Sequence, residues 1–441
     1  MITRTPSGSR SFSASLLAAA LVAYAGSADA QTYQRPIIPQ NEPAIEPTDR
    51  TGEDQLGVMT RDYTDFKPVG IGVSGFTLIP RLVTDVGFID NVYARPTNTK
   101  SSAIATVAPE AVLRSQWSRH LLEVTGRVEA KRYASEKTEN VENYRFSVGG
   151  GLNVTSDMQL LALIKRERQH DLRGDPDSAN RTTEAAAIDV TIAELGLRHD
   201  FGRFNVRFDN TLRDYEYQSV TSGDGRRIDG NDRSFMTLTH YGRLSYEVNP
   251  DFVLFGEGAW QTRQHDRASG NGLKNRDSTG PEAGAGVNFA LSAIWSGEIA
   301  VGYAERTIED SSFGSVSAMT ARAQLLWNMT RATSLRAQAL RGIGETAVGP
   351  SVAYVSTTYW LGVEHQLQSD LLLGANISTR TLDYAKSRDE TDVLSVGARA
   401  TWFINRNFRA QAEYNFSRRD GTIPESNFDR NIGMLRLVSS F

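Results

Sequence analysis

The chain has 441 residues, 39% of them hydrophobic, with a formal net charge of -4 and no cysteine. These values exclude thiolate metal sites, iron–sulfur clusters, disulfides and thiol catalysis, and the charge balance does not point to a nucleic-acid binder. Mean hydropathy is -0.38, and no run approaches the ~20 apolar residues of a membrane helix. A membrane β-barrel escapes both tests, because lipid-facing and lumen-facing residues alternate and average out.

Residues 1–30 read as a secretory signal peptide. Arg4 and Arg10 form a basic start, residues 16–25 an apolar core, and Ala28-Asp29-Ala30 a cleavage site before Gln31. No cysteine follows that site, which excludes lipoprotein processing. Residues 31–70 are interrupted by Pro36, Pro39, Pro43, Pro47 and Pro68. They read as an extended periplasmic linker, too short for a plug domain. Residues 71–441 form the third unit.

In that unit strand follows strand with period two. Within 121–133, Leu122, Val124, Gly126, Val128 and Ala130 oppose Glu123, Thr125, Arg127, Glu129 and Lys131. The same alternation runs through 204–215, 235–248, 295–306 and 408–417. The polar faces are too charged for a dry sandwich core, so they meet water, and the apolar faces meet lipid or another sheet. Many strands reach ten or more residues, near the ~9–11 that a tilted membrane strand needs.

The connections alternate in length. Short ones fall at 117–120, 155–157, 199–202, 249–251, 291–293, 368–370 and 405–407, and long polar ones at 134–142, 171–183, 218–231, 267–279 and 418–427. The pattern predicts an all-β transmembrane antiparallel β-barrel of about 18 strands (16 as the alternative), with short periplasmic turns and long extracellular loops. A break of phase near Ala193-Glu194 predicts a bulge.

Phase assigns a basic set to the lumen: Arg127, Lys131, Arg145, Arg207, Arg213, Arg243, Arg263, Arg306, Arg322, Arg336, Arg380, Arg399, Arg409 and Arg436. Acids on the same face include Glu123, Glu129, Asp209, Glu247, Glu257, Glu298, Glu364 and Glu413. Charged rings in a water-filled pore set ion selectivity; a mutually neutralised wall that only keeps the lumen wet is the favoured reading. Trp260, Trp295, Trp327, Trp402, Phe408 and Phe441, with Trp117, fall where an interfacial girdle would sit.

The six histidines lack metal-binding spacing, and no G-x-S-x-G occurs. Gly223-Asp224-Gly225 and Gly284-Ala285-Gly286 precede no helix, and loop acids such as Asp175, Asp177, Asp224, Asp229 and Asp232 read as solvated. No catalytic, cofactor-binding or metal residue is assigned, and no cofactor is expected.

The chain resembles the putative beta-barrel porin 2 family of proteobacterial outer-membrane proteins. The resemblance rests on Pro80-Arg81-Leu82, Asp90-Asn91-Val92-Tyr93, Trp117-Ser118-Arg119-His120, Asn249-Pro250-Asp251, residues 297–303, Asn405-Arg406-Asn407 and Phe428-Asp429-Arg430-Asn431. It implies an outer-membrane barrel and says nothing of substrate; the aqueous lumen that about eighteen strands would leave points to a non-enzymatic, porin-like channel for small polar solutes. Exopolysaccharide export with periplasmic partners and an outer-membrane hydrolase are the alternatives. Outer-membrane barrels typically end on a terminal aromatic, so Leu435, Leu437 and Phe441 would form the signal for the barrel-insertion machinery. The expected partners are outer-membrane lipid and that machinery, with no nucleic acid.

Overall fold

The computed structural model describes residues 57–441 other than 62, 176–177, 179–181, 267–274, 293 and 347–350. The expected signal peptide and residues 31–56 of the expected linker lie outside the described residues. The barrel strands are β1 (Phe76–Ile89), β2 (Ser102–Ser115), β3 (His120–Tyr133), β4 (Val141–Asn153), β5 (Met158–His170) and β6 (Ala187–Phe201). They continue with β7 (Phe204–Tyr217), β8 (Phe235–Asn249), β9 (Phe252–His265), β10 (Ser278–Leu291), β11 (Trp295–Ile308) and β12 (Ser315–Thr330). The last six are β13 (Thr333–Glu345), β14 (Ala353–Gln368), β15 (Leu371–Tyr384), β16 (Glu390–Phe403), β17 (Phe408–Gly421) and β18 (Phe428–Ser440).

Each strand pairs antiparallel with the next. β1 pairs with β18 from Arg81↔Ser440 to Ile89↔Ile432. The sheet is thereby a closed barrel of 18 strands, the larger of the two expected counts. Closure satisfies the backbone groups that an open edge would leave bare in lipid. Val86, Phe146, Leu195, Leu244, Val301, Leu361 and Leu435 are exposed on the outer surface. They form the belt that burial in lipid requires, while charged partners alternate onto the inner face.

The short turns are written in the sequence. Asn249 Oδ1 accepts from the backbone N–H groups of Asp251 (2.9 Å) and Phe252 (3.0 Å). Asn405 Oδ1 does the same for Asn407 (2.8 Å) and Phe408 (2.9 Å). These Asx turns reverse the chain within two or three residues.

Two expectations change. The register of β6 against β5 and β7 is unbroken through Ala193 and Glu194, so no bulge lies there. The phase break has another cause: Ile188, Val190 and Ile192 point inward and pack with Tyr215 and Phe235, while lower on the strand Leu195 points out to the belt. Apolar side chains thus occupy opposite faces at two heights. Register shifts occur instead at Glu247/Asn249, Asn328/Thr330 and Gln366/Gln368, beside short turns. The second change is in loop length. β17 runs to Gly421, so the last outer connection is 422–427, and those at 309–314 and 385–389 are also short. The long outer connections lie between residues 90 and 277.

β10 and β11 approach each other closely at the glycines of β10. A Cβ on Gly280 would lie 1.9 Å from the Glu305 carbonyl oxygen, and one on Gly286 2.3 Å from that of Ile299. Only glycine permits so close an approach of neighbouring backbones.

Candidate functional site: the lumen and its two mouths

On the inner face, charges from strands that are not neighbours meet. Arg243 on β8 donates to Glu298 on β11 (2.8 Å), and Arg322 on β12 reaches both Glu298 (2.8 Å) and Glu257 on β9 (2.9 Å). The Tyr241 hydroxyl donates to Glu257 (2.7 Å). Each guanidinium therefore meets a carboxylate, as buried charges must. Nearer the outer rim, Glu345 accepts from the Ser278 hydroxyl (2.5 Å) and lies 3.8 Å from both Arg263 and Arg306. Ladder pairing of β12 with β13 ends at Ala321↔Arg341, whereas β13 and β14 stay paired to Glu345↔Ala353. The outer end of β13 thus leaves β12 and brings Glu345 to Ser278, Arg263 and Arg306.

The other inner-face residues are spread round the wall. Arg127 meets Glu129 (2.8 Å) and Glu110 (3.4 Å), with Lys131 beside Glu129. Arg145 meets Glu167 (2.7 Å), and Arg114 meets Glu123 (2.8 Å). Arg207 pairs with Asp209, and Arg213 lies 3.9 Å from Glu194. Arg336 lies 3.5 Å from Glu364, and Arg399 3.0 Å from Glu413. Arg436 grips Asp85 with two contacts of 2.6 and 2.9 Å. Arg380 faces the Tyr354 hydroxyl (3.5 Å), Arg409 the Phe403 ring (6.0 Å), and Glu247 sits where β8 meets the β7 turn. Sequence reasoning missed Asp85, Glu110 and Glu345. Asp85 and Glu110 alternate with apolar neighbours and were open to the same phase count. Glu345 lies where β13 leaves the wall, which phase does not report.

The outer mouth is crossed by the β5–β6 loop. Arg173 is buried and donates to both Glu139 oxygens (2.6 and 3.0 Å) and to Thr182 (2.7 Å). On the far side of β1–β4, Arg430 donates to the Arg173 carbonyl (2.8 Å) and Arg419 to that of Gly174 (3.3 Å). Gly174 has φ +84°, and a Cβ there would meet the Phe428 ring at 2.5 Å. In the β9–β10 connection, burial and the nearby Arg263 lower the pKa of the Arg276 guanidinium.

The inner mouth carries a strap, residues 57–61 and 63–68, on its wall. The N–H of Val58 donates to Ser334 (2.9 Å) and that of Met59 to Glu364 (2.8 Å). Val58 and Met59 pack on Leu372. Tyr63 and Phe66 each stack on Phe403 at 5.2 Å between centroids. Burial pushes the Tyr63 hydroxyl above its usual range. This described part of the linker lies against the barrel.

Outside, Trp295 and Trp327 stack at 4.8 Å, Phe408 meets Phe441 edge-on at 6.3 Å, and Trp260 and Trp402 are exposed. Trp117 packs on Phe76 at 5.5 Å. Trp360, in register with Ser378 and two residues from outward Leu361's neighbour Gly362, faces the lumen side instead. Among the described residues no group of three His, Cys, Asp or Glu could hold a metal ion.

An apolar outer belt, a charged inner wall and a closed strand ring define a membrane-spanning barrel of porin type. The chain belongs to the putative beta-barrel porin 2 family, whose profile matches residues 51–441. Single-chain barrels of this kind reside in bacterial outer membranes. Among solved structures it is similar to the ferric enterobactin receptor of Pseudomonas aeruginosa, with 10% identity over 82% of this chain and 80% of that one and a TM-score of 0.48. It is similar to the siderophore receptor of Acinetobacter baumannii (9% identity, 82% and 80%, TM-score 0.48). A BenF-like porin from Pseudomonas fluorescens matches at 9% identity over 84% of this chain and 100% of that one, with a TM-score of 0.46. No curated protein sequence matches the chain.

Proposed function

We propose that the protein is a passive outer-membrane channel for small polar solutes, filtering by width and by lumen charge. One observation carries the reading. The Arg145 side chain points inward on β4, opposite in phase to lipid-facing Phe146, yet is 52% exposed. An inward guanidinium keeps that exposure only beside water, which supports an aqueous path through the ring of strands at its level. The pairing of charges along the wall supports diffusion without chemistry, since the polar groups are satisfied by one another.

The same reading assigns Leu435, Leu437 and Phe441 to the segment recognised by the barrel-insertion machinery; all three are exposed on the outer surface. Purified protein in a planar bilayer should give steady, ohmic conductance steps. A folded barrel that inserts and conducts nothing would remove the channel reading.

A further inference from the structure

Most of the inner wall is charged, and its cations and carboxylates pair. One stretch is different. Gln338 on β13, Trp360 on β14 and Ser378 on β15 lie side by side in register. Trp360 sits between Tyr359 and Leu361, which are exposed on the outer surface, so it and its register partners face the lumen. Gln324 on β12, Asn376 on β15 and Asn415 on β17 extend the stretch on the same face. All six are partly exposed. Among the described residues none of their side chains has a hydrogen-bond or ionic partner within the protein. Charged pairs border the stretch: Arg322 with Glu298 and Glu257 beside Gln324, Arg336 with Glu364 on the periplasmic side, and Arg399 with Glu413 beside Asn415. Arg336 also donates to Thr60 of the strap (2.9 Å), so the stretch begins directly outward of that segment. Two glycines make room for its side chains. The six-membered end of the Trp360 indole fills the space of a side chain at 362, where a Cβ would lie 2.2 Å from it, and a Cβ on Gly397 would lie 2.6 Å from Asn376 Oδ1.

We infer that this stretch is a subsite for a neutral, polyhydroxylated ring, the chemistry of a small sugar, inside the channel. The inference rests on the channel reading above and names its solute class. A pyranose with equatorial hydroxyls has an apolar C–H face and a polar rim. The indole offers a flat apolar surface to the face. The amide and hydroxyl side chains, which both donate and accept, suit the rim. The charged groups of the wall satisfy one another; these do not, so a solute that pairs with them displaces only water. An ionised solute would lose hydration and gain no counter-charge from these side chains. One indole accommodates one ring, which suits a small solute.

The test uses full-length protein in a detergent without a sugar headgroup, titrated by saturation-transfer NMR with methyl β-glucoside, glucuronate, sorbitol and cellohexaose. Methyl β-glucoside should bind more tightly than glucuronate, which adds a charge to the ring, and than sorbitol, which has the hydroxyls without the ring. Trp360→Ala should weaken the glucoside about tenfold, the scale of one aromatic contact, and Trp360→Phe should recover most of that loss. Equal binding of glucuronate or sorbitol, or unchanged binding by Trp360→Ala, would overturn the subsite; the comparison among ligands needs no variant. A strong preference for cellohexaose would overturn the assignment to a small solute in favour of a polymer. Titration in detergent needs no conduction. Glucoside binding by a barrel that does not conduct would remove the channel reading and keep the subsite, and a conducting barrel that binds no glucoside would do the reverse.

Discussion

At the scale of single residues, the closing seam depends on Asp85 and Arg436. They face each other in register across β1 and β18 and make a bidentate pair with both side chains almost wholly buried. Removing one partner strands the other charge in a poorly hydrated site, a loss of roughly 3–5 kcal/mol in comparable buried pairs. Replacing both with apolar residues of similar size removes the pair and its desolvation together, so it costs much less. Asp85→Ala should therefore lower the urea midpoint for unfolding from vesicles clearly, and Asp85→Leu/Arg436→Met should recover most of the loss. Equal losses in the single and double variants would mean that the pair does not carry the seam.

At the scale of elements, the β5–β6 loop is held over the outer mouth by one buried arginine with partners on two sides. Arg173→Ala removes the contacts to Glu139 and Thr182 and leaves the loop held on the other side through its backbone carbonyl to Arg430. If the loop narrows the path, single-channel conductance should rise and become noisier; an unchanged conductance would show that the loop lies clear of it. Such inward-leaning loops explain what the sequence could and could not convey. The alternation of Leu122, Val124 and Val128 with Glu123, Arg127 and Glu129 reports faces reliably, because a strand has only two. The Asn249 and Asn405 turns were legible because their side chains cap the chain locally. Nothing local distinguishes Arg173 from a solvated loop arginine, since its partners Glu139 and Arg430 lie far away in sequence. The strap was likewise hidden: its proline-rich approach reads as linker, and the Ser334, Glu364 and Phe403 that receive it are hundreds of residues on.

At the scale of the whole molecule, the barrel lacks a central hydrophobic core. Among the described residues its apolar clusters are small, around Ile188 and Phe235, Ile308 and Val352, Val58 and Leu372, Val83 and Val438, and Ile89 and Val92. Lipid outside and the strand ladder within hold the remainder together. Correct closure is then the global problem, because β1 and β18 lie at opposite ends of the described barrel sequence. The absence of native cysteine makes closure directly measurable. Leu82→Cys with Ser439→Cys joins register partners, and the pair should cross-link readily in the folded protein. Deleting residues 57–73 should lower that yield and raise the yield with positions two residues away; an unaltered pattern would show that closure needs no help from this segment.

The reason lies in the short strand Ile71–Val73, which turns back through Ser74 (φ 41°) and Gly75 (φ 82°) to pair with β1 at Phe76–Leu78. It continues the line of β18 just beyond Phe441, whose N–H reaches the Pro80 carbonyl (3.1 Å). A slip of two residues would keep every side chain of β18 on its proper face, so polarity alone cannot forbid it. That slip would drive Phe441 opposite Leu78, onto the position that Ile71 already holds. The hairpin is a doorstop: it lets the final strand travel to one place and no further, turning a zipper that could fasten at several teeth into one with a single stop.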